Sequence, residues 1–380
     1  MNNGSNTRTA FAAWAGVTAV CIGCQAPRHS AEVQDALYPF VEKGEIAGMV
    51  SVLSDADYNL TVDCFGWADA ESHVPMTPDT LFACFSMSKC VAGCAVMIAV
   101  DRGILRLDDK VSHYLPEFAR VENNGITIKD CMTHMTGIAG PYVDYIHRPV
   151  PLREMARDLA QTTKFEAKVG EKFLYSNPGV DLAGACLEVA AGMTYDRFVK
   201  ENIFDPLGMT STTFDPTPEM RKRLVKAYTA DKGHFRPADD RCATMLSLPF
   251  GAKIYPSPCA GIFSTPNDFI RFSQMLAHHG EFHGRIIVSR KNFDEIWSKK
   301  QTPAHVVKPY TLGSWIYGDW FGHEGAMRTD QRANLKTGHS RLFFIQTENR
   351  GGEAFFAAKK AWHEACDRAQ NMSIPFAAED

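Results

Sequence analysis

Three short groups of residues in this chain carry side chains that could perform acyl chemistry. The first is Ser86 and Lys89, within Phe85-Ser86-Met87-Ser88-Lys89-Cys90-Val91-Ala92, at the head of an apolar run that reaches Val100. Residues i and i+3 share one face of a helical turn, so the lysine amine can reach the serine hydroxyl. A serine hydroxyl is a poor nucleophile until a base takes its proton, and a lysine held neutral by desolvation is such a base. A helix N-terminus adds partial positive charge and free N–H groups, which suit an anion forming beside Ser86. Alone the pair says little, because Ser-x-x-Lys arises often by chance.

The second group is Leu174-Tyr175-Ser176-Asn177-Pro178-Gly179. Proline and glycine force a sharp turn, so Tyr175 and Asn177, two apart in an extended piece, can point the same way. A tyrosine can exchange protons with a serine, and an asparagine amide can bind both a carbonyl and the lysine amine. By itself the segment reads as a turn with a packed tyrosine. The third group is Trp320-Phe321-Gly322-His323-Glu324-Gly325-Ala326. Its glycines allow close backbone approach to a ligand at a strand, and His323 supplies a donor that switches near neutral pH. Whether Glu324 faces the same way is open, since successive strand residues face opposite sides. His134 is a general-base candidate, but its place at a helix end reads better as packing beneath the site.

The elements that must hold these groups follow from pattern. Helical spacing covers Ser30–Val41, Ser86 to about Arg102, Val180–Ala191, Tyr195–Ile203, Pro266–His278 and about Glu353–Gln370. Met49–Leu53 and Leu60–Trp67 form an antiparallel hairpin, and further strands lie at Thr311–Tyr317, Met327–Leu335 and Arg341–Gln346. Thr210–Leu246 is irregular and polar, a wall over a cleft. Strands at both ends and helices in the middle imply two lobes, with a sheet built from both termini.

The 380 residues suffice for a large core and more than one lobe. A net charge of −4 gives no electrostatic reason for a nucleic-acid partner. The eleven cysteines are odd in number and scattered, and most read as small buried hydrophobes. Only Cys21 and Cys24 stand close enough to suggest a pair, with no second pair to complete a metal site. Residues 1–24 have the form of a targeting segment: Arg8, the apolar run Ala10–Ile22, then Gly23-Cys24.

Together, in this order and with these separations, the three groups resemble those of the penicillin-recognising serine hydrolases: class C β-lactamases, DD-peptidases, D-aminopeptidases and β-lactamase-like esterases. The resemblance extends to Met76-Thr77-Pro78-Asp79-Thr80-Leu81-Phe82, Leu107-Asp108-Asp109, Thr133-His134-Met135-Thr136-Gly137 and Gly261-Ile262-Phe263-Ser264-Thr265, and covers about residues 30 to 370. It implies an α+β fold of the β-lactamase/transpeptidase kind. An antiparallel sheet flanked by helices would join a mostly helical lobe, with the active site between them. Residues 25–380 would be one catalytic domain, its α/β lobe about 30–85 and 255–375 and its helical lobe about 86–254.

On that resemblance Ser86 is the acylated nucleophile, Lys89 its proton acceptor and Tyr175 the relay to the leaving group and deacylating water. Asn177 holds the acyl side chain, and His323 and Gly325 stand on the substrate-binding strand. The N–H groups of Ser86 and Ala326 form the oxyanion hole. Lys336-Thr337-Gly338 spells the family's third motif, Lys-Thr-Gly, literally, but it falls between two predicted strands where such a triplet makes a hairpin turn. We therefore assign the motif to His323-Glu324-Gly325, expected to start the strand before that turn. A partly charged histidine suits neutral esters or D-peptides better than penicillins. The expectation is an exported hydrolase of esters or D-amino-acid amides, without metal or organic cofactor. A β-lactamase, or a protein that acylates and stays acylated, is the alternative. Ile22-Gly23-Cys24 resembles a lipoprotein signal, so membrane attachment would run through a lipidated Cys24.

Overall fold

The computed structural model describes residues 28–138, 151–231, 233–238, 256–348 and 352–371. The targeting segment with Cys21 and Cys24, and the last part of the polar stretch from 239 onward, lie outside the described residues. The main sheet has seven strands: β1 (Gly48–Ser54), β2 (Leu60–Asp69), β3 (Val74–Pro75), β4 (Trp315–Tyr317), β5 (Trp320–Glu324), β6 (Asp330–Asn334) and β7 (Ser340–Phe344). Their order across the sheet is β4-β5-β6-β7-β1-β2-β3, every pair antiparallel, so the two ends of the chain meet where β7 pairs with β1.

Strand β1 shows why the sheet is central. All seven of its residues are buried, as expected of a strand covered on both faces. Val50 and Val52 join the large core on the front, and Met49 and Leu53 join a second core behind. The helices are α1 (Ala31–Glu42), α2 (Ser88–Asp101), α3 (Ile128–Met132), α4 (Leu152–Thr162), α5 (Asn177–Ala191), α6 (Pro266–Ala277) and α7 (Gly352–Gln370); α3 and α4 pack on α5, away from the sheet.

Behind the sheet, α1 and α7 pack on each other and on β1 and β7, with Trp362 stacked on Phe343 and its Nε1 donating to Ser51 Oγ at 2.9 Å. In front, α6 lies against β6 and β7, and α2 stands between the sheet and α5. Helix α2 is buried on all sides from Ser88 to Ala99, which its uninterrupted apolar sequence requires. Cys90 and Cys94 serve there as small apolar residues. Truncating one of its large side chains, such as Met97, to Ala would cost about 2–5 kcal/mol.

Three expectations need correction. Ser86 does not lie on the long helix: Phe85–Met87 is a separate 3-10 turn, and the α-helix begins at Ser88. That turn runs directly into the helix, and Phe85 at its head has a φ of +46°, so helical backbone begins only at Ser86. His323 does not start the strand that precedes Lys336; it sits near the end of its own strand, β5. A turn closed by Arg328 N–H donating to Gly325 O at 2.8 Å, with Arg328 at φ +73°, separates β5 from β6. The polar stretch after Thr210 is also less irregular than expected. It holds the short helix Pro218–Arg221 and a hairpin, Tyr228–Asp231 with His234–Pro237, and Tyr228 pairs with Gln346 beyond β7.

Candidate active site

Lys89 enters the site on the first turn of α2, three residues after Ser86, and is wholly buried. Its Nζ donates to Ser86 Oγ at 3.0 Å, Asn177 Oδ1 at 2.8 Å and the Cys259 carbonyl at 3.1 Å. Three donors meet three acceptors, which is what an ammonium requires. Burial pulls the amine's pKa down, but Tyr175, Cys259 and Asp181 outweigh it and hold it above its ordinary value. The expectation of a lysine neutral at rest is thereby corrected: the neighbours restore more than burial removes. When the amine does lose its proton, the two obligate acceptors keep its two hydrogens, and the lone pair faces Ser86 Oγ.

Helix α5 brings the second group. Ser176 caps it, accepting from Gly179 N–H at 3.1 Å, with Pro178 in the first turn. Asn177 therefore opens the helix facing Lys89, while Tyr175 lies just outside it. The Lys89 ammonium sits 4.8 Å from the Tyr175 ring centroid. Tyr175 is 36% exposed, so its ring forms part of the open wall.

His134 is buried beneath Tyr175, ring centroids 4.4 Å apart, and its Nδ1 accepts from Ser176 N–H at 3.0 Å. Burial, then the Lys89 charge, push its pKa well below the ordinary value. It supports the Tyr175 turn and is not the base beside Ser86.

Strand β5 closes the site. Gly325, just past its end, is packed so tightly that a Cβ there would lie 2.5 Å from the Cys84 carbonyl. This close approach brings Ala326 beside the chain that leads into Ser86. Phe85 meanwhile keeps its positive φ, a strain of about 1–3 kcal/mol stored next to Ser86.

The Nε2 of His323 lies 3.5 Å from Tyr175 Oη, and its Nδ1 donates to the Glu324 carbonyl at 2.7 Å. That bond leaves Nε2 bare, an acceptor for the tyrosine hydroxyl. Burial, then the Lys89 charge, lower the His323 pKa to about 3. The expected switch near neutral pH is thereby corrected: His323 is uncharged. Glu324 faces away. Its Oε1 takes both Arg332 Nη2 and Lys359 Nζ at 2.6 Å on the rear of the sheet, so it brings no negative charge to the cleft.

Ser86, Lys89, Tyr175, Asn177 and His323 thus converge on one place. Lys336 does not join them. It sits in the β6–β7 turn, where its N–H and that of Thr337 donate to Asn334 Oδ1, and its side chain is 75% exposed. No group of His, Cys, Asp and Glu able to hold a metal occurs among the described residues.

Sequence reading missed the turn that supplies the Cys259 carbonyl, and with it Ser257 and Asp181. The signal was present: Asp181 is the lone acid in the apolar run Pro178–Leu187, one helical turn after Asn177.

A family model described as Beta-lactamase matches residues 33–365. The chain belongs to the beta-lactamase family. Its α+β architecture is that of the family's solved structures. The hydrolase EstCE1, described as having promiscuous acyltransferase activity, superposes with a TM-score of 0.73 at 22% identity, over 87% of this chain and 97% of that one. The D-amino acid amidase of Ochrobactrum anthropi SV3 gives 0.70 at 20% identity, over 89% and 98%.

In sequence, the D-alanyl-D-alanine-carboxypeptidase/endopeptidase AmpH of Escherichia coli K12 is 28% identical over 256 residues, 65% of this chain. The match spans 62% of that relative's length. No helix among the described residues is long and apolar enough to cross a membrane.

Proposed function

We propose that the protein is a serine hydrolase that forms an acyl-enzyme at Ser86, acting on esters or D-amino-acid-type amides. The observation that carries this reading is Lys89 Nζ standing 3.0 Å from Ser86 Oγ and 2.8 Å from Asn177 Oδ1, in a buried setting. Ser86 Oγ attacks the substrate carbonyl and its proton passes to Lys89. Tyr175 carries a proton to the departing group and later takes one from the attacking water. The N–H groups of Ser86 and Ala326 receive the oxyanion, worth about 3 kcal/mol per donor. Asn177 binds the acyl side chain through the amide edge it does not use on Lys89.

The neutral His323 separates this reading from the β-lactamase alternative. A substrate carboxylate would find an uncharged imidazole at the third motif, and Lys336 is remote in its turn. Uncharged esters and amine-bearing D-peptides fit better, in keeping with the esterase and amidase likenesses. We read residues 25–380 as one catalytic unit, made of an α/β lobe (about 30–85 and 255–375) and a helical lobe (about 86–254). We read residues 1–24 as an export signal, with Cys24 the lipidation point. Retention of an intact N-terminus inside the cell would remove that part.

The experiment is intact-protein mass spectrometry after brief exposure to a fluorophosphonate, a short-chain p-nitrophenyl ester and a penicillin, with Ser86→Ala alongside. An adduct on the wild type alone, turned over with the ester and slow or absent with penicillin, supports the reading. Fast turnover of penicillin moves it to a β-lactamase. No adduct from any probe leaves a binding protein.

A further inference from the structure

Helix α5 meets Lys89 twice. Asn177 touches the amine directly, and Asp181, four residues on and so on the same face, reaches it through the backbone of one residue, Cys259. Asp181 Oδ1 accepts from Cys259 N–H at 2.8 Å, and the carbonyl of that same residue accepts from Lys89 Nζ at 3.1 Å. The carboxylate is held from its other side by Ser257, whose hydroxyl donates to Oδ1 at 2.9 Å and Oδ2 at 3.1 Å. Ser257 Oγ in turn accepts from Ala260 N–H at 3.2 Å, closing the turn on itself.

One helical turn further, Gly184 lets Pro258 lie flat on α5; a Cβ there would stand 2.3 Å from Pro258 Cγ. The whole 257–260 turn is therefore seated on one face of α5 with a buried carboxylate at its centre. A buried carboxylate is expensive unless its charge is used. A turn needing only hydrogen-bond acceptors would be served by asparagine.

We propose that Asp181 is a positioning residue for Lys89. It fixes the Cys259 carbonyl on the amine and sets, through its charge, how readily that amine gives up its proton. The inference rests on the acyl-enzyme reading above. The titratable groups facing Asp181 are Lys89 on α2, Cys259 on the turn and Tyr195 on the helix Tyr195–Val199. Burial raises the pKa of Cys259 and Tyr195, leaving both uncharged. Lys89 is thus the single opposite charge among them. The Asp181 carboxyl itself is raised to about 6 by burial, against the bonds from Cys259 and Ser257, so it is ionised in the neutral range.

The direction of the effect is fixed by sign. A negative charge near an ammonium stabilises the protonated form, and acylation needs the neutral one. Asp181→Asn keeps the shape and an acceptor for Cys259 N–H but removes the charge. The acid limb of kcat/KM on a neutral p-nitrophenyl ester should move to lower pH, with KM little changed. Asp181→Leu removes the anchor too, and kcat should fall about 10²-fold as the carbonyl leaves its place. Ser257→Ala weakens the anchor but keeps the charge, so it should lower kcat without moving the limb.

A folded Asp181→Asn enzyme whose pH profile superposes on the wild type overturns the assignment, as does a moved limb in Ser257→Ala. Should Asp181→Leu fail to fold, the other two variants still decide. Ser86→Ala separates the two levels. If it hydrolyses the ester at the wild-type rate, the acyl-enzyme reading falls and this inference with it. If hydrolysis depends on Ser86 but its pH profile ignores Asp181→Asn, only this inference falls.

Discussion

His323 and Glu324 are neighbours on β5, yet they face two different electrostatic worlds. In front of the sheet, His323 looks onto a site whose one cation among the described residues is Lys89, with a hydroxyl, an amide and a peptide carbonyl as its hydrogen-bond partners. Behind it, Glu324 and Asp330 meet Arg332, Lys359 and His363. Arg332 also lies flat on the Tyr317 ring, 3.8 Å from its centroid. The rear charges compensate one another. Although burial raises the Asp330 pKa, Arg332 and Lys359 more than reverse this and hold the carboxyl well below the usual range. The rear is an anchor, tying β5 and β6 to α7 through groups whose protons do not move. In front, the charge is met mainly by neutral dipoles, so a proton can be passed on. The period-2 alternation of one strand keeps the two apart.

The largest expected effect tests the front. Lys89→Ala removes the cation that contacts Ser86 and should lower kcat on a neutral ester by about 10⁴-fold or more, since members of such a unit fail together. Tyr175→Phe should cost about 10²–10⁴-fold. Neither should lower the melting temperature as much as a change behind the sheet. Because the amine is held protonated at rest, wild-type kcat/KM should still be climbing above neutral pH. A plateau reached on the acid side of neutrality would contradict the proton-acceptor role.

The rear should answer in the opposite currency. Arg332→Met leaves Asp330 and Glu324 short of their main cation, and stripping one partner from a buried ion pair destabilises by about 3–5 kcal/mol. Urea unfolding followed by tryptophan fluorescence would measure it. Per folded molecule, hydrolysis should stay within a few fold of wild type. A selective loss of kcat with unchanged stability would show the two faces to be coupled through β5.

His323 sharpens the comparison through pH. Its pKa is about 3 in the folded protein, below the ordinary 6.5, so between these values the unfolded chain binds the extra proton. Stability therefore falls on acidification through that window, by up to about 1.4 kcal/mol per pH unit from this group. His323→Gln should flatten that part of the stability curve. The remaining slope is shared by His134 and His363, whose pKa values burial also lowers, and at its acid end by carboxylates such as Asp330 that their cations hold low. Between pH 5 and 8 the same variant should change the level of activity and not the shape of its pH profile.

These contrasts show what the sequence could convey. The apolar run behind Lys89, the Tyr175–Asn177 turn and strands at both ends were legible because periodicity and turn chemistry are local. The family's motifs added their order. What stayed hidden was set by neighbours distant in the chain. No local pattern announces that Phe85 adopts a positive φ or that Ser86 sits on a 3-10 turn ahead of the α-helix. One of the three acceptors around the Lys89 amine is the carbonyl of Cys259, 170 residues away. The direction of Glu324 follows from Lys359 on the last helix. Even the placement of His323 failed by one strand, because two tight turns occupy a stretch whose composition reads as continuous.

The smallest predicted effect is also the most direct test of motif reading. Lys336-Thr337-Gly338 matches the third motif of the family letter for letter, whereas His323-Glu324-Gly325 does not. Position argues the other way. Lys336 lies beyond the far end of β6, its Nζ is 3.9 Å from Asp319, and both side chains are exposed, at 75% and 61%. Such a pair contributes about 0–1 kcal/mol. Gly338 takes a φ of +73° to close the turn, which explains the glycine without a substrate. Lys336→Ala should leave kcat and KM for both a neutral ester and a carboxylate-bearing amide unchanged, and stability within about 0.5 kcal/mol. A rise in KM confined to the carboxylate substrate would show that Lys336 reaches the cleft after all, and the preference for uncharged substrates inferred from His323 would have to be abandoned.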